Sequence, residues 1–282
     1  MASRVSRPRR FWLVANPASH STSEKAIGKV RAALEAGGGQ IVGETDFGEG
    51  GMPSAGQLDA VRTEVLVAYG GDGTVTCAAT ELANWDGMIL ALPGGTMNLA
   101  SKDLHGKRDA PDIIAAVFAA PAVRALPYVE VGSHRAYARV IAGPAASLVD
   151  VRERLRSRRL RHAWRALGFA WRIMGSRSIG IEGRQGRFTA LIVHAMSDDR
   201  LAIDPVEQGG LLHAFRLAWS WLGGLLLEGG ALVRDERPSL TITADGPVTI
   251  VIDGESRKLD TPLELEPRGG RACFLVEGDS AA

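Results

Sequence analysis

Val65-Leu66-Val67-Ala68-Tyr69 runs without a polar break into Gly70-Gly71-Asp72-Gly73-Thr74. Five consecutive apolar residues fit a strand buried on both faces, as in a parallel sheet. The glycines end the strand, and residues 74–83 carry helical spacing. Strand, glycine turn and helix together form one arm of a βαβ unit. The flanking sequence repeats the pattern. Phe11-Trp12-Leu13-Val14-Ala15 is a short apolar run broken by Asn16-Pro17. Residues 23–34 place Ala26, Ile27, Val30, Ala33 and Leu34 at helical spacing and stop at Gly37-Gly38-Gly39. Residues 40–45 read as a strand and 58–63 as a weak helix. Residues 88–92 form another buried strand, ended by Pro93-Gly94-Gly95, and 112–119 another helix.

The pattern changes after Leu126. Residues 127–131, 135–142, 188–195, 239–244, 248–253, 263–266 and 272–276 are strand-like, many separated by short turns, as in antiparallel sheets. Two helical stretches, 147–174 and 211–227, interrupt them. The fold class expected is α/β plus mostly β: an amino-terminal parallel-sheet α/β domain and a carboxy-terminal β-sandwich-like domain. The boundaries are 1–126 and 127–282, and the last strand can return to the first domain.

The chain has 282 residues, 23% charged and 45% apolar, with a net charge of +1. This is ordinary globular composition, which excludes global disorder and fibrous architectures. Near-neutral charge argues against a nucleic-acid coat, which needs a cationic surplus. Cys77 and Cys273 lie far apart and lack metal-ligand spacing, so reduced thiols are expected. The histidines show no zinc-binding spacing. Arg4, Arg7, Arg9 and Arg10 precede residues 11–15, superficially like a secretory signal, but the apolar run is too short. A basic tail feeding a first strand, in a cytoplasmic protein, is expected.

Three turns fall where an α/β sheet places its chemistry, at the carboxyl ends of strands. They are Asn16-Pro17-Ala18-Ser19, Gly70-Gly71-Asp72-Gly73-Thr74 and Pro93-Gly94-Gly95-Thr96-Met97-Asn98. Small residues let backbone N–H groups approach a ligand, and the following helix offers its positive end. Phosphate is the natural guest. Asp72 within such a cradle implies Mg²⁺ to bridge it to phosphate oxygens. Thr74 and Thr96 supply hydroxyls. One glycine turn alone would be only a tight turn; three in one half of the chain favour phosphate. Neither a Walker A motif nor GxGxxG is present.

With Asp253-Gly254-Glu255 added late in the chain, the sequence resembles the diacylglycerol kinase catalytic-domain family, which includes bacterial lipid kinases and sphingosine kinases. NAD kinases share the Gly70–Thr74 element; its combination with residues 93–98 and 253–255 is more specific. The resemblance implies ATP-dependent phosphorylation of a lipid hydroxyl. It implies ATP contacts from Asn16, Pro17, Ala18, Ser19, Thr45, Gly70, Gly71, Asp72, Gly73, Thr74, Gly95, Thr96 and Asn98. It implies Asp72 as the catalytic Mg²⁺ ligand and Glu255 as general base. Residues 248–252 form a strand whose end carries Glu255, and an environment that raises its pKa would suit a base. The plain alternative is an Asp-Gly hairpin turn with Glu255 in solvent.

The sequence departs from the family at Thr76, Cys77, Leu99 and Ala100. In the stretch from Asp204 to Leu211, Gln208 stands where an acidic ligand of a structural Mg²⁺ falls. Arg152, Arg154, Arg156, Arg158, Arg159, Arg161 and Arg165 crowd one predicted helix with Trp164 and Trp171. Such a helix can touch an anionic membrane surface transiently or remain a solvated face; no RNA-binding motif accompanies it. Residues 211–233 are interrupted by charges and glycines and do not read as a span, although Trp219, Trp221 and Leu222 could meet an acyl chain. The expected function is a peripherally membrane-associated lipid kinase acting on diacylglycerol. Alternatives are a sphingoid base, ceramide, a soluble acceptor such as NAD, or a non-catalytic sensor. A homodimer stays open.

Overall fold

The computed structural model describes residues 3–17, 22–147, 178–207 and 235–278. The chain forms two compact units, Met1–Leu126 with Gly269–Ala282, and Pro127–Arg268.

The first unit runs β1 Ser3–Arg4, β2 Arg10–Ala15, α1 Glu24–Ala36, β3 Gln40–Asp46, α2 Phe47–Gly50, α3 Ala55–Ala60, β4 Val65–Gly70, α4 Asp72–Glu81, β5 Met88–Pro93, α5 Leu99–His105, α6 Ala110–Ala119 and β6 Pro121–Ala125. Within the described residues its sheet has the order β1-β6-β18-β5-β4-β2-β3, where β18 is Cys273–Glu277. β18 lies parallel to β5 and antiparallel to β6. The expected α/β architecture is therefore present, with a parallel core.

Alternation along the strands sorts the two faces. Phe11, Leu13, Val65, Val67, Leu90 and Leu92 pack with α1 and α6. α4 and α5 pack on β4 and β5 and against each other. The chain leaves β2 toward β3 and then returns to β4 on the other side, before continuing to β5. The connections thus diverge between β2 and β4, and that switch point is where open α/β sheets bind ligands.

Local chemistry sets several helix starts. Ser54 caps α3 in a capping box with Gln57, so the helix begins at Ala55 rather than near 58. Asp109 caps α6, with Pro111 in its first turn.

The second unit is antiparallel. It contains β7 Tyr128–Val131, β8 His134–Ala136, β9 Val140–Ala142, a 3₁₀ turn Pro144–Ser147, β10 Ile179–Ile181, β11 Arg184–Ala195, β12 Leu201–Glu207, β13 Asp235–Arg237, β14 Leu240–Thr243, β15 Val248–Ile252, β16 Glu255–Leu259 and β17 Leu263–Arg268. The main path is β16-β15-β9-β11-β10-β14-β17-β7-β8, with β12 and β13 extending from β11. Val131, Val140, Phe188, Leu191, Ile242, Ile250 and Leu265 share one core. The strand expected over 135–142 is two strands, because the amides of residues 137–139 bond to a side chain instead of a neighbouring strand. β12 carries Pro205 and β16 is a charged edge, so neither shows the usual alternation.

The arginine-rich stretch 152–165, residues 211–233 with Trp219, Trp221 and Leu222, and Gln208 lie outside the described residues. No helix among the described residues is long and apolar enough to cross a membrane.

His105 closes α5 and is buried. Its Nε2 has no hydrogen-bond partner among the described residues. Burial lowers its pKa to about 4, with Arg124 and Arg108 adding to the effect. The unfolded imidazole, near 6.5, binds protons that the folded one refuses. Stability is then complete above pH 6.5 and falls as pH drops toward 4, by about 3 kcal/mol from this group. Urea unfolding of wild type and His105→Leu across that range should show a shallower decline in the variant. Equal slopes would contradict the assignment.

Candidate active site

β2, β4 and β5 end side by side, so the described residues of the three turns read from the sequence lie together beside the switch point. Asn16 donates its N–H to the Tyr69 carbonyl at 3.1 Å, tying the first turn to β4. Gly94 donates to the Gly70 carbonyl at 2.8 Å, tying the third to the second. The buried Thr22 hydroxyl donates to the Asn16 carbonyl.

The glycines are spaced by one another. A Cβ on Gly95 would sit 2.4 Å from the Gly71 Cα, and one on Gly94 would sit 2.9 Å from the Gly70 nitrogen. At Gly95 the nearest obstacle is backbone, which cannot yield, and at Gly94 the Thr22 side chain, 2.6 Å away, adds to the Gly70 backbone. A Cβ on Gly70 would lie 2.5 Å from Thr74 Oγ1, so buried Thr74 is seated directly against that glycine.

Asp72 opens α4 and is buried. Its Oδ1 accepts the Ala100 N–H at 2.9 Å, in the first turn of α5. The carboxylate thus caps a neighbouring helix and locks the second turn to the third. α4 has Gly71 at its own N-cap and no side-chain cap, which leaves its positive end open to an anion.

Asn98 adopts φ 50°, a left-handed conformation that Asn tolerates. Its Oδ1 accepts the Gly95 N–H at 2.7 Å, and its Nδ2 donates to the Gly95 carbonyl at 3.0 Å. Both ends of the amide therefore hold the third turn closed. Thr96 is exposed, whereas Asn16 Oδ1 is buried without a hydrogen-bond partner among the described residues. Thr45 lies near the carboxyl end of β3, where its hydroxyl accepts the Trp12 indole N–H at 2.9 Å. Pro17 follows Asn16 directly, and Gly73 lies in the first turn of α4. Ala18 and Ser19 lie outside the described residues.

In the second unit, Asp253-Gly254 is the two-residue loop between β15 and β16, with Ile252 paired to Glu255. Both loop residues have positive φ, 47° and 93°, as a type I′ turn requires. Asp253 is buried, and its carboxylate accepts the N–H groups of Tyr137 at 2.8 Å and of Ala138 and Arg139 at 2.9 Å. Glu255 is exposed and pairs with Arg257 at 2.9 Å. Burial pushes the neighbouring Tyr137 phenol up to about 12. The sequence offers Asp253 as part of a motif or of an Asp-Gly hairpin turn, and not as a carboxylate that gathers distant amides. Its three amide partners lie 114 to 116 residues away, where no local signal could reveal them.

Two stability tests follow from this geometry. Gly95→Ala should cost about 1–3 kcal/mol through overpacking, whereas Gly28→Ala, in open space within α1, should be neutral or stabilise by up to about 1 kcal/mol. Urea denaturation of both checks the contrast, and equal effects would contradict the backbone contact. Asp253→Ala strands three amides and should cost about 3 kcal/mol or more. A thermal midpoint unchanged from wild type would show that the carboxylate is dispensable.

Residues 10–131 match the family model of the diacylglycerol kinase catalytic domain. No curated protein matches the chain. Similar solved structures include a candidate diacylglycerol kinase from Bacillus anthracis str. Sterne, with 17% identity and a TM-score of 0.65, covering 99% of this chain and 100% of that one. A diacylglycerol kinase from the same organism has 14% identity and a TM-score of 0.62 at the same coverage. At such identity the likeness concerns the fold. The family match takes in the three turns and stops short of Asp253-Gly254-Glu255. Over residues 10–131, then, the chain is similar to the diacylglycerol kinase catalytic domain.

Proposed function

We propose that the chain is an ATP-dependent lipid kinase and that diacylglycerol is its acceptor. The observation that carries this reading is the meeting of three small-residue turns at the switch point. It is supported by the kinase-domain match, which implies ATP use, and by the uncapped start of α4.

The amides at the start of α4 and the turns at Gly70, Gly71, Gly73 and Gly95 would cradle the phosphates, with Thr74 and Asn98 keeping the turns in shape. The buried Asn16 Oδ1, without a partner among the described residues, is an acceptor that a ligand N–H or O–H would satisfy. Pro17, Thr45 and Thr96 border the same end of the sheet and complete the nucleotide contacts. Mg²⁺ would be held by Asp72. One carboxylate suffices for an ion that brings water and phosphate oxygens as its other ligands. This matters because no group of three or more His, Cys, Asp or Glu gathers among the described residues. When bound, the ion would neutralise charge on the transferring phosphoryl group.

In the reaction, the lipid hydroxyl oxygen forms a bond to the γ-phosphorus. The bond from that phosphorus to the β–γ bridging oxygen breaks, and ADP departs. Glu255 takes the hydroxyl proton. Asp253 fixes the hairpin that presents Glu255. The arginines between 152 and 165 would bring the enzyme to an anionic, cytoplasmic membrane face.

The test is γ-labelled ATP with Mg²⁺ and mixed micelles of diacylglycerol, sphingosine, ceramide or monoacylglycerol. Label should enter the organic phase with diacylglycerol. Glu255→Gln should lower kcat by about 100-fold or more, with ATP affinity retained. No labelled lipid from a protein that binds ATP would overturn the lipid assignment in favour of a soluble acceptor or a sensor.

A further inference from the structure

We infer that Trp12 is a positioning residue that fixes the Thr45 hydroxyl as a hydrogen-bond donor toward bound nucleotide. This rests on the nucleotide reading of the first unit and extends it to a residue outside the glycine turns.

The register sets the pair. Trp12 lies opposite Gly43 and Val14 opposite Thr45, so all four residues share one face of the sheet. A Cβ on Gly43 would stand 2.4 Å from the Trp12 ring, so the indole lies over a position that only glycine leaves free. From there its Nε1 reaches Thr45 Oγ1 at 2.9 Å.

The polarity of this bond is unambiguous. An indole N–H can only donate, so the Thr45 oxygen must accept. The threonine proton therefore points away from Trp12. One residue later, Asp46 pairs with Ala15, the last residue of β2 before Asn16. The oriented hydroxyl thus sits beside the switch point, ready to donate to an acceptor atom. Nucleotides offer phosphate oxygens and ring nitrogens of that kind. A threonine free to rotate would have to lose that freedom on binding; here the indole has already restricted it.

The test is the affinity of Mg·ATP by calorimetry for wild type, Trp12→Phe, Thr45→Val, Thr45→Ser and the double variant Trp12→Phe/Thr45→Val. Trp12→Phe keeps a ring over Gly43 and removes the N–H. It should weaken binding about three- to tenfold, the range of one modest hydrogen bond. Thr45→Ser should stay near wild type. The double variant should be no weaker than Thr45→Val alone, because the indole acts only through the hydroxyl.

A second readout needs no Trp12 variant. In ¹⁵N-indole spectra, the N–H signal displaced most by Thr45→Val should also be the one displaced by Mg·ATP in wild type. Wild type that binds ATP, with Trp12→Phe binding equally tightly, would overturn the positioning role alone. Losses that multiply in the double variant, or an unmoved indole signal at saturating nucleotide, would do the same. Wild type that binds no ATP would overturn the nucleotide reading and this inference together.

Discussion

The candidate site depends on one close approach. Gly70-Gly71 and Gly94-Gly95 end adjacent parallel strands and pack backbone against backbone, with no room for a Cβ on Gly95. Parallel strands bring their carboxyl ends together at one edge, but side chains normally hold the following loops apart. Glycine removes that spacing, and the Gly94–Gly70 hydrogen bond uses it. Asp72 then reaches the amino end of α5, and Asn98 folds back on Gly95. The motif residues most easily read as ligand contacts therefore also build the shape that a ligand would meet.

Asp72 illustrates the double duty. A buried carboxylate needs partners, and the Ala100 amide is one. A helix end also favours negative charge. Its capping role and a role beside a metal-bound phosphate are compatible, since a carboxylate has two oxygens and several lone pairs. Asp253 does comparable work in the second unit, where one carboxylate gathers three consecutive amides and fixes a two-residue hairpin.

Much of the first unit was legible because its signals are local. Continuous apolar runs gave the parallel strands, and glycine runs gave the turns. The Ser54–Gln57 capping box was also there to be read and would have moved the start of α3 to its true position. What escaped was long-range or lacked contrast. The residues of β16, Glu255 to Lys258, are exposed and show no alternation. β12 carries a proline in mid-strand. The break between β8 and β9 depends on Asp253, more than a hundred residues later. Trp12 stands in a short apolar run, and nothing local marks the partner of its N–H, which lies 33 positions away.

The central claim is that the turns after β2, β4 and β5 form one nucleotide site. Amide hydrogen exchange with and without Mg·ATP tests it most directly. The account predicts slower exchange on nucleotide addition at Asn16, at Gly70–Thr74 and at Gly94–Asn98, in all three turns at the same nucleotide concentration. Unchanged exchange in these turns at saturating nucleotide, or protection confined to other segments, would contradict it.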